Sequence, residues 1–243
     1  MTNALLSIVI PCKNEARNLP PLLDEIDAAL GQTAFEVIVV DDGSTDDTRA
    51  VLAAERLARR FSVRHLRHER SAGQSIALRS GVFAAHGAIV ATLDGDGQND
   101  PRYIPALVEA LNAADEGVGL VTGQRLKRQD TTLKRLSSKI ANRVRGRVLG
   151  DYTRDTGCSL KAMHTALFRQ LPFFDGSHRF LPALVQQEGF TVIHIDVYDR
   201  PRRFGVSHYG IFDRAMRATV DLLGVWWLKQ RRRNLPRVVE IAP

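Results

Sequence analysis

The sequence predicts an α/β protein: a mostly parallel sheet flanked by helices, closed by a C-terminal amphipathic helix. Three observations carry this. Short apolar runs alternate with amphipathic stretches through the first half. The runs stop in clusters of Asp, Asn, Gly and Ser, which are turn formers. One of them, Ala88–Leu93, ends in Asp94-Gly95-Asp96-Gly97-Gln98-Asn99-Asp100-Pro101. That places an acidic loop at the carboxyl end of a buried strand, where open α/β sheets put their ligands.

Taken in order, Leu5–Ile10 reads as the first strand, ending at Pro11. Asn18 is expected to cap a helix that opens with Pro20-Pro21 and runs to about Leu30. Phe35–Val40 is the second strand, and Thr45 is placed to cap a helix from Asp46 to about Ala58. Val63–Leu66 is the third strand, followed by a helix from about Gly73 to Ala85. After the acidic-loop strand come the cap Asp100, a helix Arg102–Ala114 and a strand Gly119–Thr122. In the second half Leu133, Leu136, Ile140, Val144 and Val148 recur at helical spacing among basic residues, giving a basic amphipathic helix. Cys158–Met163 and Val192–Ile195 read as strands, Phe180–Gln187 as a short helix and Ile211–Arg233 as the closing helix. This divides the chain into one domain over 1–210 and an amphipathic helix and tail over 211–243.

The net charge of +7 sits in two blocks. Residues 125–147 and 200–237 are strongly basic, and the rest of the chain is net acidic. Such blocks expect an anionic partner: nucleic acid, a phosphorylated substrate or an acidic membrane surface. Cys12 and Cys158 are the only cysteines, and they lack metal-ligand spacing, so they read as reduced thiols. The N-terminus shows no secretory pattern. Leu222–Leu228 falls far short of the roughly 20 apolar residues that cross a bilayer.

Four strand ends carry polar residues suited to a ligand: Pro11–Glu15, Asp41–Asp46, Ser71–Gly73 and Asp94–Asp100. Asp94, Asp96 and Gln98 form a hard-oxygen set that fits Mg²⁺ or Mn²⁺; the same residues also fit a solvated acidic turn. The helix opening at Gly73 presents an amide-rich start to phosphate. A phosphate-loop pattern is missing, which argues against an ATPase or GTPase, and no Gly-x-Gly-x-x-Gly follows the first strand, which argues against a dinucleotide enzyme.

Together Ile8–Glu15 with Asn18, Val40–Thr48, Gly73-x-x-x-Ala77-x-x-x-Gly81, Asp94–Pro101 and Gly123-Gln124-Arg125 resemble glycosyltransferase family 2. Asp155-Thr156-Gly157-Cys158 and Arg202-x-x-Gly205-x-Ser207-x-Tyr209 narrow the resemblance to the dolichyl-phosphate mannose synthase-like branch, which includes bacterial polyprenyl-phosphate glycosyltransferases. The resemblance implies a GT-A (Rossmann-like) fold, a nucleotide-sugar donor, a divalent metal, and inverting transfer onto a polyprenyl (dolichyl or undecaprenyl) phosphate.

Carried over by position, Pro11 and Glu15 would touch the nucleoside and Asp42 the base. Gly73, Gly95 and His208 would lie along the donor, and Asp94, Asp96 and Gln98 would hold Mg²⁺ or Mn²⁺. Arg125, with Lys134 or Arg135 and Ser138, would receive the acceptor phosphate, and Arg202 would return over the donor diphosphate. Asp96, Arg125 and Arg202 are thus the expected catalytic residues. Three positions depart from the pattern: Lys13 stands where relatives often have an aromatic, Ser71 where Asn is frequent, and His208 where Lys is usual. Trp226, Trp227 and Leu228 beside Lys229–Arg233 resemble an interfacial anchor. Docking on the inner face of the cell membrane, from the cytoplasm and without a transmembrane helix, is therefore expected; packing on the chain's own domain is the competing reading. A sugar-hydroxyl acceptor in cell-surface polysaccharide synthesis, a non-catalytic nucleotide-sugar sensor and a basic nucleic-acid-binding protein are the alternatives. No nucleic-acid-binding motif supports the last.

Overall fold

A computed structural model describes residues 5–126, 143–151, 153, 155–201, 204 and 211–231, with side chains in the last segment from 219 onward. The elements run β1 (Leu6–Cys12), α1 (Leu19–Leu30), β2 (Phe35–Asp41), α2 (Thr48–Ala58), β3 (Ser62–Arg67), α3 (Gln74–Ala84), β4 (Ile89–Thr92), α4 (Ile104–Ala113) and β5 (Val118–Arg125). A helical segment at 143–149 (α5) follows. Then come β6 (Lys161–His164), α6 (Thr165–Gln170), α7 (Leu181–Gln187), β7 (Thr191–Val197) and α8 (Ile211–Arg231).

The seven strands lie in the order β3-β2-β1-β4-β6-β5-β7. All neighbours are parallel except those of β6, which runs against both β4 and β5. Alternation along β1 explains the layering. Ile8 and Ile10 face one side with α1, α2 and α4. Val9 faces the other, with α3, α5, α6, α7 and α8. Each fully buried Leu or Ile contributes about 1.5–3 kcal/mol relative to exposure. The result is a sheet covered on both faces, as parallel strands require.

The strands begin and end within a few residues of expectation, and the local differences have physical causes. Asn18 sits at the N-cap of α1 but makes no side-chain cap bond; its amide donates to the Glu15 carboxylate instead. Thr45 does not cap α2: the helix begins at Thr48 with Asp47 at its N-cap, and the Thr45 hydroxyl turns to Asn14 Oδ1 at 3.4 Å. Asp46, one position before the cap, accepts from Thr48 N at 3.1 Å and Thr48 Oγ at 2.6 Å. Asp100 does accept from Arg102 N, but a 3-10 turn over Pro101–Tyr103 precedes α4. The strand expected from Cys158 begins only at Lys161, since Cys158–Leu160 are irregular. Of the basic amphipathic helix expected over 133–148, residues before 143 lie outside the described residues.

The closing helix packs on its own domain through one side. Val225 is buried in the second core cluster and Leu222 packs against it. The Lys229 ammonium donates to the Leu149 carbonyl. The opposite side leaves Val220, Leu223, Trp226 and Trp227 exposed. Among the described residues no helix is long and apolar enough to cross a membrane.

Candidate active site at the β1–β4 switch point

The helices after β1 and β2 cover one face, and the helix after β3 crosses to the other before β4 pairs with β1 on its free side. The chain therefore reverses its winding between the carboxyl ends of β1 and β4, and that crevice is where doubly wound sheets bind ligands. The β1 end supplies Pro11 and Glu15, and the β4 end supplies Asp94 to Asp100. Gly95 is pressed on Cys12: an added Cβ would lie 2.9 Å from the Cys12 Cβ. Gly97 has φ +73°, a conformation glycine adopts without strain. Both glycines thus let the acidic loop curl back over the strand ends.

Asp94 is held from three sides. Gln74, in the first turn of α3, donates to Oδ1 at 2.7 Å, Ser159 Oγ donates to Oδ2 at 2.6 Å, and its own N–H donates to Asn99 Oδ1 at 3.0 Å. Thr92 Oγ fixes the Ser159 carbonyl at 2.6 Å. Burial, reinforced by the negative charge of Asp96, pushes Asp94 up to about 6. Asp96 is itself buried and accepts from Gln98 N at 3.0 Å. Lys161, fully buried nearby, donates to the Cys158 carbonyl; burial pulls its ammonium below the usual lysine range, with Asp94 and Asp155 opposing.

This arrangement fits a divalent cation. The buried Asp96 and the partly buried Asp94 repel each other here, and a cation between them would relieve that cost. Each Asp94 oxygen keeps a second lone pair beyond its hydrogen bond. Among the described residues no group of three or more acidic, His or Cys side chains is placed to hold a metal; Mg²⁺ or Mn²⁺ at Asp94 and Asp96 would take the rest of its coordination from water and phosphate oxygens. The Gln98 amide nitrogen donates to the Arg200 carbonyl at 3.4 Å, so Oε1 is the atom that could reach a cation.

Two residues sit differently from expectation. Asp42 was expected to contact the base. Its carboxylate instead accepts from Ala72 N (2.8 Å), Gly73 N (2.9 Å) and Ser71 Oγ (2.7 Å), and it pairs with His68 Nδ1 (2.7 Å). These four partners fill the roughly four lone-pair sites of a carboxylate, so Asp42 anchors the Ser71–Gly73 loop. Arg125 was expected to receive the acceptor phosphate. Its guanidinium instead grips both oxygens of Asp155, at 2.5 and 2.8 Å, and Asp199 at 2.9 Å. Three of its five N–H groups are thereby engaged by carboxylates. Asp199 in turn accepts from Asn99 Nδ2 at 3.3 Å, joining this cluster to the acidic loop. Lys134, Arg135, Ser138, Arg202 and His208 lie outside the described residues.

Gln74, Ser159, Asp155, Asp199 and Lys161 are the site residues that sequence reasoning missed or left structural. For Gln74 the available signal was its place just after Gly73, at a helix start on the carboxyl edge. Cys12 and Cys158 are buried, and burial pushes the Cys158 thiol up to about 11. For Cys12 burial and the surrounding acids push it higher still, so neither serves as a nucleophile.

The carboxylates also set the response to acid. Burial works to raise Asp42 and Asp100, but hydrogen bonds to Asp42 and the Arg102 and Arg200 guanidinium contacts to Asp100 outweigh it and hold both low. A carboxyl lowered in the folded state contributes stability that is present above its unfolded pKa near 4 and lost as pH falls through the folded value. The melting temperature should therefore fall steeply below about pH 4. In Asp100→Asn, scanned by circular dichroism across the same pH series, that acid limb should be shallower.

The family model for glycosyl transferase family 2 matches residues 7–174. The chain is 37% identical over 229 residues to dodecaprenyl-phosphate galacturonate synthase of Rhizobium johnstonii, covering 90% of this chain and 66% of the relative. It is 35% identical over 207 residues to undecaprenyl-phosphate 4-deoxy-4-formamido-L-arabinose transferase of Klebsiella pneumoniae, covering 84% of this chain and 62% of that protein. The chain thus spans just under two thirds of the length of these relatives. In fold it matches glucosyl-3-phosphoglycerate synthase of Mycobacterium tuberculosis, solved with Mn²⁺, uridine diphosphate and phosphoglyceric acid. The TM-score is 0.70 at 19% identity, over 95% of this chain and 80% of the other. With most of its length under that family model and its acidic loop at the switch point of a GT-A sheet, the chain belongs to glycosyl transferase family 2.

Proposed function

We propose that the protein moves a sugar, with inversion, from a nucleotide-sugar to a polyprenyl phosphate at the cytoplasmic face of a membrane. The observation that carries this reading is the pair of carboxylates at the β1–β4 crevice, Asp96 buried and Asp94 partly buried and raised by desolvation and by the Asp96 charge. The names of the two relatives supply the acceptor class. Mg²⁺ or Mn²⁺ held by Asp94 and Asp96, with Gln98, would neutralise the donor diphosphate. Pro11, Glu15 and Gly95 line the nucleoside side of the crevice. The Ser71–Gly73 loop, fixed by Asp42, sets the start of α3 toward the phosphates. Arg202 and His208 remain assigned to the donor diphosphate, and Lys134, Arg135 and Ser138 to the acceptor.

The acceptor needs no general base. A phosphate monoester, with a second pKa of about 6, is an anionic nucleophile near neutral pH. One of its oxygens forms the bond to the anomeric carbon as the bond from that carbon to the donor phosphate breaks, and the nucleoside diphosphate departs. A sugar hydroxyl would require a base. Asp155, the one candidate for that role, has both oxygens in the Arg125 guanidinium, which disfavours proton uptake. The exposed Trp226 and Trp227 beside Lys229 and Arg231 support contact with an anionic membrane surface.

A panel of UDP-, GDP- and dTDP-sugars with Mn²⁺ tests the reading. One donor should release its nucleoside diphosphate faster when undecaprenyl phosphate is added. Stimulation by a soluble sugar, and none by the lipid phosphate, would overturn the acceptor assignment.

A further inference from the structure

The exposed apolar side chains are unevenly shared between the two faces of the sheet. Over the first core cluster, the helices expose Leu57 of α2. Over the second, Phe83 of α3, Phe173 after α6, and Val220, Leu223, Trp226 and Trp227 of α8 are all exposed. The α8 residues belong to the membrane-contact reading above. Phe83 and Phe173 do not, and they surround an arginine.

The Arg79 guanidinium lies 4.5 Å from the Phe83 ring centre and 4.9 Å from that of Phe173. Stacking against ring faces uses its flat sides and leaves its N–H edge free. Arg79 makes no hydrogen bond or ion pair among the described residues. Arg169 stands beside it, bonded to the Val82, Phe83 and Ala85 carbonyls at the end of α3. The two arginines and two phenylalanines rim a small, shallow depression with Phe168 and Leu181 beneath, and none of its lining residues is acidic. Asp175, close by in the chain, is turned toward Gly73.

The pocket and α8 are close. Pro172 and Phe173 line the pocket, and three residues on, Gly176 lies against the Asp221 carboxylate of α8. Three residues of chain span at most about 11 Å. A planar cation with its N–H edge free, framed by exposed aromatic rings and lacking an acidic neighbour, matches a phosphate joined to apolar chains. We infer that the Arg79–Phe83–Phe173 pocket is a second membrane contact, binding the headgroup of an anionic phospholipid beside the α8 stripe. It makes the whole α3–α6–α8 face the lipid-facing side. It rests on the membrane reading of α8 but adds a separate site.

Co-sedimentation of the full chain with phosphatidylcholine vesicles, alone or containing phosphatidylglycerol, tests it. Arg79→Gln should lower partition onto the anionic vesicles about fivefold and change partition onto the neutral ones little. Phe83→Ser with Phe173→Ser should lower both. Donor hydrolysis should stay at the wild-type value in both variants, because these side chains lie outside the crevice, and in Arg79→Gln so should the melting temperature, because Arg79 is exposed. Wild-type partition in Arg79→Gln would overturn the inference. Loss of inorganic phosphate binding in that variant with vesicle partition unchanged would mark a free-phosphate site and also overturn it. Trp226→Ala with Trp227→Ala is the control for the supporting reading. If that pair alone weakens partition, the α8 contact stands and the Arg79 site falls. If the wild-type chain fails to pellet with either vesicle, both fall.

Discussion

Replacing Asp96 by Asn should lower sugar transfer by about 10²–10³ while the protein folds as before. The amide keeps the oxygen that accepts from Gln98 N, so the loop turn survives and only the charge is lost. The negative charge of Asp96 is one of the causes that raise Asp94. Removing it therefore relieves a repulsion, and the melting temperature of the metal-free protein should stay the same or rise. Function and stability should thus move in opposite directions, which a residue serving only as a turn former would not produce. Added Mn²⁺ should raise the melting temperature of the wild type and do so far less for the variant. Near-normal transfer in Asp96→Asn would remove the metal assignment.

How far the sequence revealed this site depends on the range of the contacts that build it. Strands β1 to β4 were legible because each is a short apolar run cut off by turn residues, and their carboxyl ends collect on one edge whatever their neighbours are. The acidic loop followed from that alone. The partners of Asp94 did not: Gln74 and Ser159 reach it from 20 and 65 positions away, and no local pattern encodes a pairing at that distance. The roles of Asp42 and Arg125 shifted for the same reason. Each was read as open to a ligand; the Asp42 carboxylate is filled by partners from other elements, and Arg125 has three of its five N–H groups taken by carboxylates. Helix α6 was missed because six residues are too few to show a 3.6-residue period. In α8 the period was visible, but which apolar residues turn inward was not. Val225 is buried and Trp226, one position on, is exposed, and only the packing of the helix on the second core cluster decides between them.

Arg125→Met should destabilise the fold by about 3–5 kcal/mol, the cost of leaving a buried ion cluster without its cation. In a chain of this length that lowers the melting temperature by on the order of 10 °C. The reason lies in the charge balance. Asp155 and Asp199 are 5% and 15% exposed at their side chains, and Arg125 is the cation bonded to both. Burial works against its charge, but the two carboxylates hold it protonated. Without it two carboxylates remain in a confined space, one of them linked through Asn99 to the loop that carries Asp94. Adding Asp155→Asn to Arg125→Met should recover part of the stability, since it removes one of the two carboxylates that Arg125 pairs with. A residue that only received the acceptor phosphate would behave differently: its loss would raise the KM for polyprenyl phosphate and leave the melting temperature where it was. A two-by-two comparison of Arg125→Met, Asp155→Asn, the double variant and the wild type, by thermal unfolding and by acceptor titration, separates the two roles. An unchanged melting temperature in Arg125→Met would return Arg125 to the acceptor site, whereas a large fall rescued by Asp155→Asn would establish it as the strut between β5, the Asp155 turn and the exit of β7.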